Sequence, residues 1–174
     1  TILSSCASRQ LEEVTFRRTV IPVQELLDTA GKYFKKSMKN RSERIELEIE
    51  PMEAKVIGDV NQLRFLLENL IDEALTVRED GVIRLQARQD NEYIRFLFTD
   101  TRREKSVEEL NQLFYPNLAR MTSGEKGELR GTEYLVCKQI IRDHDEFAGR
   151  RGCRINAEPA EGGGFTVYFT IPRR

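Results

Sequence analysis

Between Asp59 and Ala74 the chain carries Leu63, Leu66, Leu67, Leu70, Ile71 and Ala74 at helical spacing. The apolar face they trace is too broad for a helix lying at the edge of a fold, and it predicts the most deeply packed helix of the domain. Asp59, with Gln62 three residues on, supplies a capping-box-like start for it. Such a helix needs a layer to cover, and the flanking sequence provides one. Ile45, Leu47 and Ile49 alternate with Glu46, Glu48 and Glu50; Ile83, Leu85 and Ala87 alternate with polar residues, as do Ile94, Phe96 and Phe98. After Gly162, Gly163 and Gly164, a last alternation sets Phe165, Val167, Phe169 and Ile171 against Thr166, Tyr168 and Thr170. Period two with one apolar face is the mark of half-buried strands.

These patterns predict strands near residues 17–21, 45–50, 54–58, 82–88, 93–99, 153–157 and 165–171, joined in one sheet, with Gln89 to Glu92 as a polar turn. Helices are expected to begin near Pro22, Asp59 and Thr132 and to cover one face. The fold class is therefore α+β, a two-layer sandwich of a mixed β-sheet with three helices on one face. Leu3, Ala7, Leu11 and Val14 make residues 1–15 a short amphipathic helix, read as the tail of an upstream helix and a surface for homodimerisation, with a helix packed on its own domain as the equal alternative. Residues 16–174 form one domain. Its segment 101–130 loses periodicity apart from a helical patch at Val107, Leu110 and Leu113, contains Pro116, Gly124 and Gly127, and is expected to be a lid and the least ordered internal stretch.

A length of 174 residues, 39% hydrophobic and 33% charged, suits one such domain. The formal net charge of −1 gives no overall pull toward nucleic acid, and Lys32, Lys35, Lys36, Lys39 and Arg41 read as a solvated helix end. With no apolar run near the ~20 residues needed to cross a bilayer and no signal-peptide pattern, a cytoplasmic setting is expected; the parent protein is free to be membrane-anchored. The start at Thr1 reads as a piece of something longer. Cys6, Cys137 and Cys153 lack disulfide or zinc spacing and read as reduced, mostly buried thiols. His144 is the only histidine and no GxSxG precedes it, so it reads as a helix-end residue and not as a catalytic base.

One ordered set of residues has the chemistry of a nucleotide site. Asn69 and Glu73 lie four apart on the deeply packed helix, Asp100 ends a strand, and Gly131 opens a helix after the lid. A strand-end carboxylate accepts from the amino group of a base, and a helix N-terminus offers N–H groups and a favourable dipole to phosphates.

The order of these segments resembles a family. Asp59-Val-Asn-Gln-Leu-Arg-Phe-Leu-Leu-Glu-Asn-Leu-Ile-Asp-Glu-Ala is similar to the N-box helix of the histidine-kinase-like (GHKL) ATPases. Phe98-Thr-Asp-Thr and Leu113-Phe-Tyr-Pro resemble the first glycine box and the F-box, and Gly131-Thr-Glu-Tyr-Leu-Val-Cys-Lys-Gln-Ile-Ile resembles the second glycine box with its helix. The ending Gly162-Gly-Gly-Phe-Thr-Val-Tyr-Phe-Thr-Ile-Pro is similar to the last strand of sensor histidine kinase catalytic domains, which fits those kinases better than the gyrase-type or anti-sigma relatives.

The resemblance implies a Bergerat-type ATPase fold and a domain that takes Mg-ATP and passes its γ-phosphoryl to a histidine elsewhere in the parent protein. Asp100 would hold adenine, Asn69 would be the catalytic residue of the N-box and serve phosphate, Glu73 would serve Mg²⁺, and Gly131 would seat phosphates at the helix start. A response regulator or a histidine-bearing domain of the parent protein would be the partner. The chain departs from the family pattern at three places: Glu73 stands at the second N-box position, Arg102 and Glu104 replace the glycines after Asp100, and Glu133 replaces the glycine after Gly131. Such residues put bulk and charge where glycines permit close approach. A catalytically inactive module acting in dimerisation or protein–protein signalling is the alternative reading.

Overall fold

The computed structural model describes residues 15–116, 122–123, 129–130 and 132–174. Residues 1–14 of the predicted N-terminal helix and the site residue Gly131 lie outside the described residues, as do Cys6, Gly124 and Gly127. In chain order the elements are β1 (Thr19–Pro22), α1 (Val23–Ser37), β2 (Ile45–Ile49), β3 (Lys55–Gly58), α2 (Val60–Ala74), β4 (Gly81–Asp90) and β5 (Tyr93–Asp100). They continue with α3 (Val107–Gln112), β6 (Thr122–Ser123), β7 (Leu129–Arg130), α4 (Glu133–Phe147), β8 (Ile155–Pro159) and β9 (Phe165–Pro172).

The main sheet has five strands in the order β2-β4-β5-β9-β8, of which only β2 and β4 run parallel. Its alternation places Ile83, Leu85, Ala87, Ile94, Phe96, Phe98, Val167, Phe169 and Ile171 on one face, all buried. Phe96 and Phe169 are directly paired across β5 and β9 and stack at 4.8 Å. The opposite face carries charge, with Arg84 bonded to Glu48 and Arg88 to Glu50 across β4 and β2. One apolar face and one charged face make this a two-layer α+β sandwich, as the periodicity predicted.

The predicted single sheet is divided in the structure. β1 and β3 pair antiparallel with each other as a separate ribbon, which touches the end of β9 through a bridge between Val56 and Arg173. Alternation reports which residues face inward and carries no information about which strand is the neighbour, so the partition was not legible from it.

Helices α1, α2 and α4 join the sheet in one apolar core. α2 lies between α1 and α4 and buries Leu63, Leu66, Leu67, Leu70, Ile71 and Ala74, matching the stripe read from its sequence. Asp59 is its N-cap: the carboxylate accepts from the Asn61 and Gln62 amides at 3.0 and 3.1 Å. The same carboxylate accepts from the Arg17 amide at 3.0 Å, which fastens the incoming chain to the start of α2.

Within the predicted lid, the first part is packed. Ser106 and Glu109 form a capping box that starts α3, and Leu110, Leu113 and Phe114 are buried, with Phe114 set edge-on to Tyr134 at 5.6 Å. Residues 117–121 and 124–128 lie outside the described residues, and over the described part the helical patch read at Val107, Leu110 and Leu113 is an anchored helix.

Candidate functional site

The three described residues of the predicted site divide into two places, the Asp100 end of the sheet and the face of α2 toward α4. Asp100 ends β5 between Ile83 of β4 and Phe165 of β9, and only 3% of it is exposed. The glycine turn before β9 closes over it: a Cβ on Gly164 (φ +85°) would stand 2.1 Å from the Asp100 carbonyl oxygen. A carboxylate buried this way needs partners, because desolvation of an unpaired charge costs several kcal/mol.

Arg102 supplies them. Its Nε donates to Oδ1 of Asp100 and its Nη2 to Oδ2, both at 2.9 Å, and its backbone amide donates to Oδ1 at 3.0 Å. The rest of the guanidinium is spent on backbone oxygens: Nη2 donates to the Ala74 carbonyl at 2.6 Å, and Nη1 to those of Val77 and Glu79 at 2.9 Å each. A guanidinium has five N–H donors, and these bonds engage all five. The Arg102 side chain is 1% exposed. Its route is opened by Gly81, where a Cβ would stand 2.4 Å from Cγ of Arg102. The pair therefore sews the end of β5 to the C-terminal end of α2 and the loop that follows it. Arg103 turns outward to an exposed pair with Glu79, and Glu104 is exposed, so of the two glycine replacements only Arg102 enters the site.

At the other place, Asn69 is buried on α2 and its Nδ2 donates to the Phe65 carbonyl one turn back, at 2.8 Å. Glu73 is half-buried one turn further on. Opposite, Thr132 caps α4 without a side-chain bond, and Glu133 occupies its first turn. Between the two helices lies Cys137, fully buried, its Sγ 3.6 Å from the Leu66 carbonyl. Burial pushes its thiol well above the ordinary range, and the charges of Glu133 and Glu73 push it further the same way. Burial also raises the Asp72 carboxyl, with Glu133 again adding to the rise, while a bond from the Tyr33 hydroxyl at 2.6 Å works against it. One carboxylate oxygen of Glu133 is buried and has no hydrogen-bond partner among the described residues. The end of the site where a helix start would meet phosphates is thus an acidic place. Carboxylates there repel a polyphosphate.

Sequence reasoning placed Asp100, Asn69 and Glu73 on the right elements and missed what Arg102 does. The available signal was the spacing Asp100-x-Arg102 with a glycine at position 81. It read His144 as a helix-end residue, and His144 does stand in the last turn of α4; what the reading lacked is that the ring is wholly buried. Nε2 of His144 accepts from the Asp59 amide at 3.1 Å, so Nδ1 carries the proton and donates to the Ile140 carbonyl at 2.8 Å. Phe16 sets its edge against the imidazole at 5.0 Å. This histidine holds the N-cap of α2 and belongs to the frame of the domain.

Among known proteins, the profile of the family described as histidine kinase-, DNA gyrase B- and HSP90-like ATPase matches residues 58–174. No curated protein matches the chain. Among solved structures, the catalytic domain of histidine kinase ThkA in a nucleotide-free form superposes with a TM-score of 0.69 at 21% identity, covering 90% of this chain and 97% of that one. A mycobacterial sensor histidine kinase, MprB, gives 0.68 at 20% identity over 91% of this chain and 99% of that one. ThkA in complex with the response regulator protein TrrA gives 0.67 at 18% identity, covering 99% of this chain and 50% of that one. The core sheet, the helices packed on it and the segment from Asp59 to Ala74 are thus accounted for together: the chain belongs to the histidine kinase-, DNA gyrase B- and HSP90-like ATPase family and has the fold of a histidine kinase catalytic domain.

Proposed function

We propose that this is the catalytic-type domain of a two-component sensor histidine kinase that works without adenine nucleotide, as a module for dimerisation or protein–protein signalling. The observation that carries the reading is the burial of the Asp100 carboxylate against Arg102, which engages both of its oxygens. The family resemblance implies ATP and Mg²⁺, and the residues present do not fit them. An adenine amino group needs a carboxylate oxygen that it can reach, and the Asp100 carboxylate is 4% exposed with both oxygens engaged by a buried cation of its own chain. A polyphosphate needs a helix start free of like charge, and α4 starts with Glu133, close enough to Glu73 for both charges to act on one thiol. Glu73 as a single magnesium-binding carboxylate does not offset either obstacle.

In this reading Arg102 does the structural work that a bound base would do: it ties the end of β5 to the C-terminal end of α2, and the domain keeps its shape with the site closed. The partners are those of its fold relatives' signalling class, a histidine-bearing domain of the parent protein or a response regulator; ThkA is such a relative, seen with its response regulator protein. Residues 1–15 would continue from an upstream helix and serve homodimerisation, with residues 16–174 as the domain on the cytoplasmic side of its parent protein.

Thermal unfolding with millimolar Mg-ATP or Mg-ADP tests the reading. A ligand at about 100 times its Kd adds about 2.7 kcal/mol to the folded state and raises Tm visibly. The expected result is an unchanged Tm with either nucleotide, and a saturable rise in the unaltered protein would overturn the proposal.

A further inference from the structure

The two edges of the five-stranded sheet are treated differently. β8 has α3 packed against it and ends in Pro159, whose ring removes a donor. β2 has neither. The Gly81 amide donates to the Arg44 carbonyl and the Glu50 amide to the Leu85 carbonyl, at 3.0 and 3.2 Å. In a parallel ladder this alternation turns the even-numbered residues of β2 toward β4 and aims the N–H and C=O groups of Ile45, Leu47 and Ile49 away from the sheet. Leu47 and Ile49 point to the core face yet are only half-buried, because the space beside them is a groove of about 660 Å³ between β2 and α1. Phe34 lines its apolar part, and Lys32 and Lys35 stand on its helix side.

We infer that the β2 edge is a strand-addition site for an extended segment of a partner protein in which apolar and basic residues alternate. The other edge of β2 shows what chemistry it accepts: β4 lies there with Arg84 on Glu48 and Arg88 on Glu50, at 3.1 and 2.6 Å, and with Leu85 opposite Ile49. An added strand would meet the same acidic row on the outer face, including Glu46, which has no ion-pair partner among the described residues, and would lay its apolar side chains over Leu47 and Ile49. A second copy of β2 is the wrong occupant. Paired antiparallel about Leu47, it would bring Glu46 opposite Glu48 on both sides of the centre, and like charges directly opposite are destabilising. The site is independent of the nucleotide question, since none of its residues touches Asp100 or Arg102.

The test uses a synthetic heptapeptide of alternating valine and arginine, titrated into the 174-residue protein and followed by amide NMR. The expected result is saturable shifts confined to Ile45–Glu50 and the Lys32–Lys35 turn. Binding should weaken about fivefold in Glu46→Arg, the scale of one exposed ion pair, and vanish when the peptide amides on one edge are N-methylated. No saturation, shifts centred elsewhere, equal binding of a valine–glutamate peptide, or indifference to N-methylation would each overturn the inference. Sedimentation of the unliganded protein showing a dimer joined through β2 would also overturn it, in favour of self-association.

Discussion

The guanidinium of Arg102 and the carboxylate of Asp100 face each other as a two-pronged pair, 2.9 Å on each prong, with side chains 1% and 4% exposed. The chain bends after β5, so that the Arg102 amide also donates to Asp100, and Gly81 leaves room for the arginine side chain to turn back over the strand end. The physical consequence is asymmetric. A buried ion pair with every donor engaged costs little to keep, while removal of one member leaves the other charged and dry.

Arg102→Ala should therefore destabilise the domain by about 3–5 kcal/mol, since it strands Asp100 together with the carbonyls of Ala74, Val77 and Glu79. Adding Asp100→Leu to Arg102→Met should recover most of the loss, because an apolar replacement of the whole pair removes the stranded charge. Urea unfolding of the single and double variants measures both effects, and a double variant no more stable than Arg102→Ala would show that the pair is not coupled.

A second prediction concerns the start of α2. Asp59 caps the Asn61 and Gln62 amides, holds the Arg17 amide, and gives its own amide to His144. Asp59→Ala should cost about 2 kcal/mol, the upper end of the range for helix caps. Hydrogen exchange should show Arg17, Asn61 and Gln62 losing protection together. Loss at Asn61 and Gln62 alone would mean that the incoming chain is held by something other than this carboxylate.

Two aspartates should move stability with pH in opposite directions. Asp145 is partly buried, which alone would raise its carboxyl, but the amides of Gly152 and Cys153 and the guanidinium of Arg151 prevail and hold it below the ordinary range. A folded-state value below the unfolded value of about 3.9 makes its contribution present at neutral pH and lost as pH falls through the folded value. Asp145→Asn should cost about 1–3 kcal/mol at pH 7 and much less in strong acid. Asp72 is raised by burial and by Glu133, so its effect is favourable below the unfolded value and is lost as pH rises through the folded one. Asp72→Asn should be neutral or stabilising at pH 7. Urea midpoints across pH for both variants check the two signs.

The cysteines give a chemical readout of the same packing. Burial pushes the Cys153 thiol up to about 12, with Asp145 adding to the rise, and pushes the fully buried Cys137 higher still. Because the thiolate is the reactive form, neither should react with iodoacetamide in the folded protein at mildly alkaline pH, and both should react in urea. Rapid native labelling at Cys137 would mean that α2 and α4 part readily.

Much of this architecture is written locally in the chain. The α2 stripe, the Asp59 cap and the alternation of β4, β5 and β9 each depend on residues a few positions apart, and the structure places them where those spacings say. The capping box of Ser106 and Glu109 was equally local, and its Ser-x-x-Glu spacing could have been read from the segment taken as a lid. What escaped depends on distant backbone. Carbonyl oxygens carry no sequence signature, so nothing in the identities of Ala74, Val77 and Glu79 announces that they accept from Arg102, and an arginine after a strand ordinarily points to water. The same holds for His144, whose partner is the amide of Asp59, 85 residues away.

Whether Arg102 stands in the place of a bound base is decided by calorimetric titration of Mg-ADP and Mg-ATP into the unaltered domain and into Arg102→Gly, which restores the glycine of the family pattern. No measurable heat of binding is expected in the unaltered domain, with binding that appears in Arg102→Gly and disappears again when Asp100→Asn is added. Micromolar binding to the unaltered domain, with Arg102 in place, would contradict it.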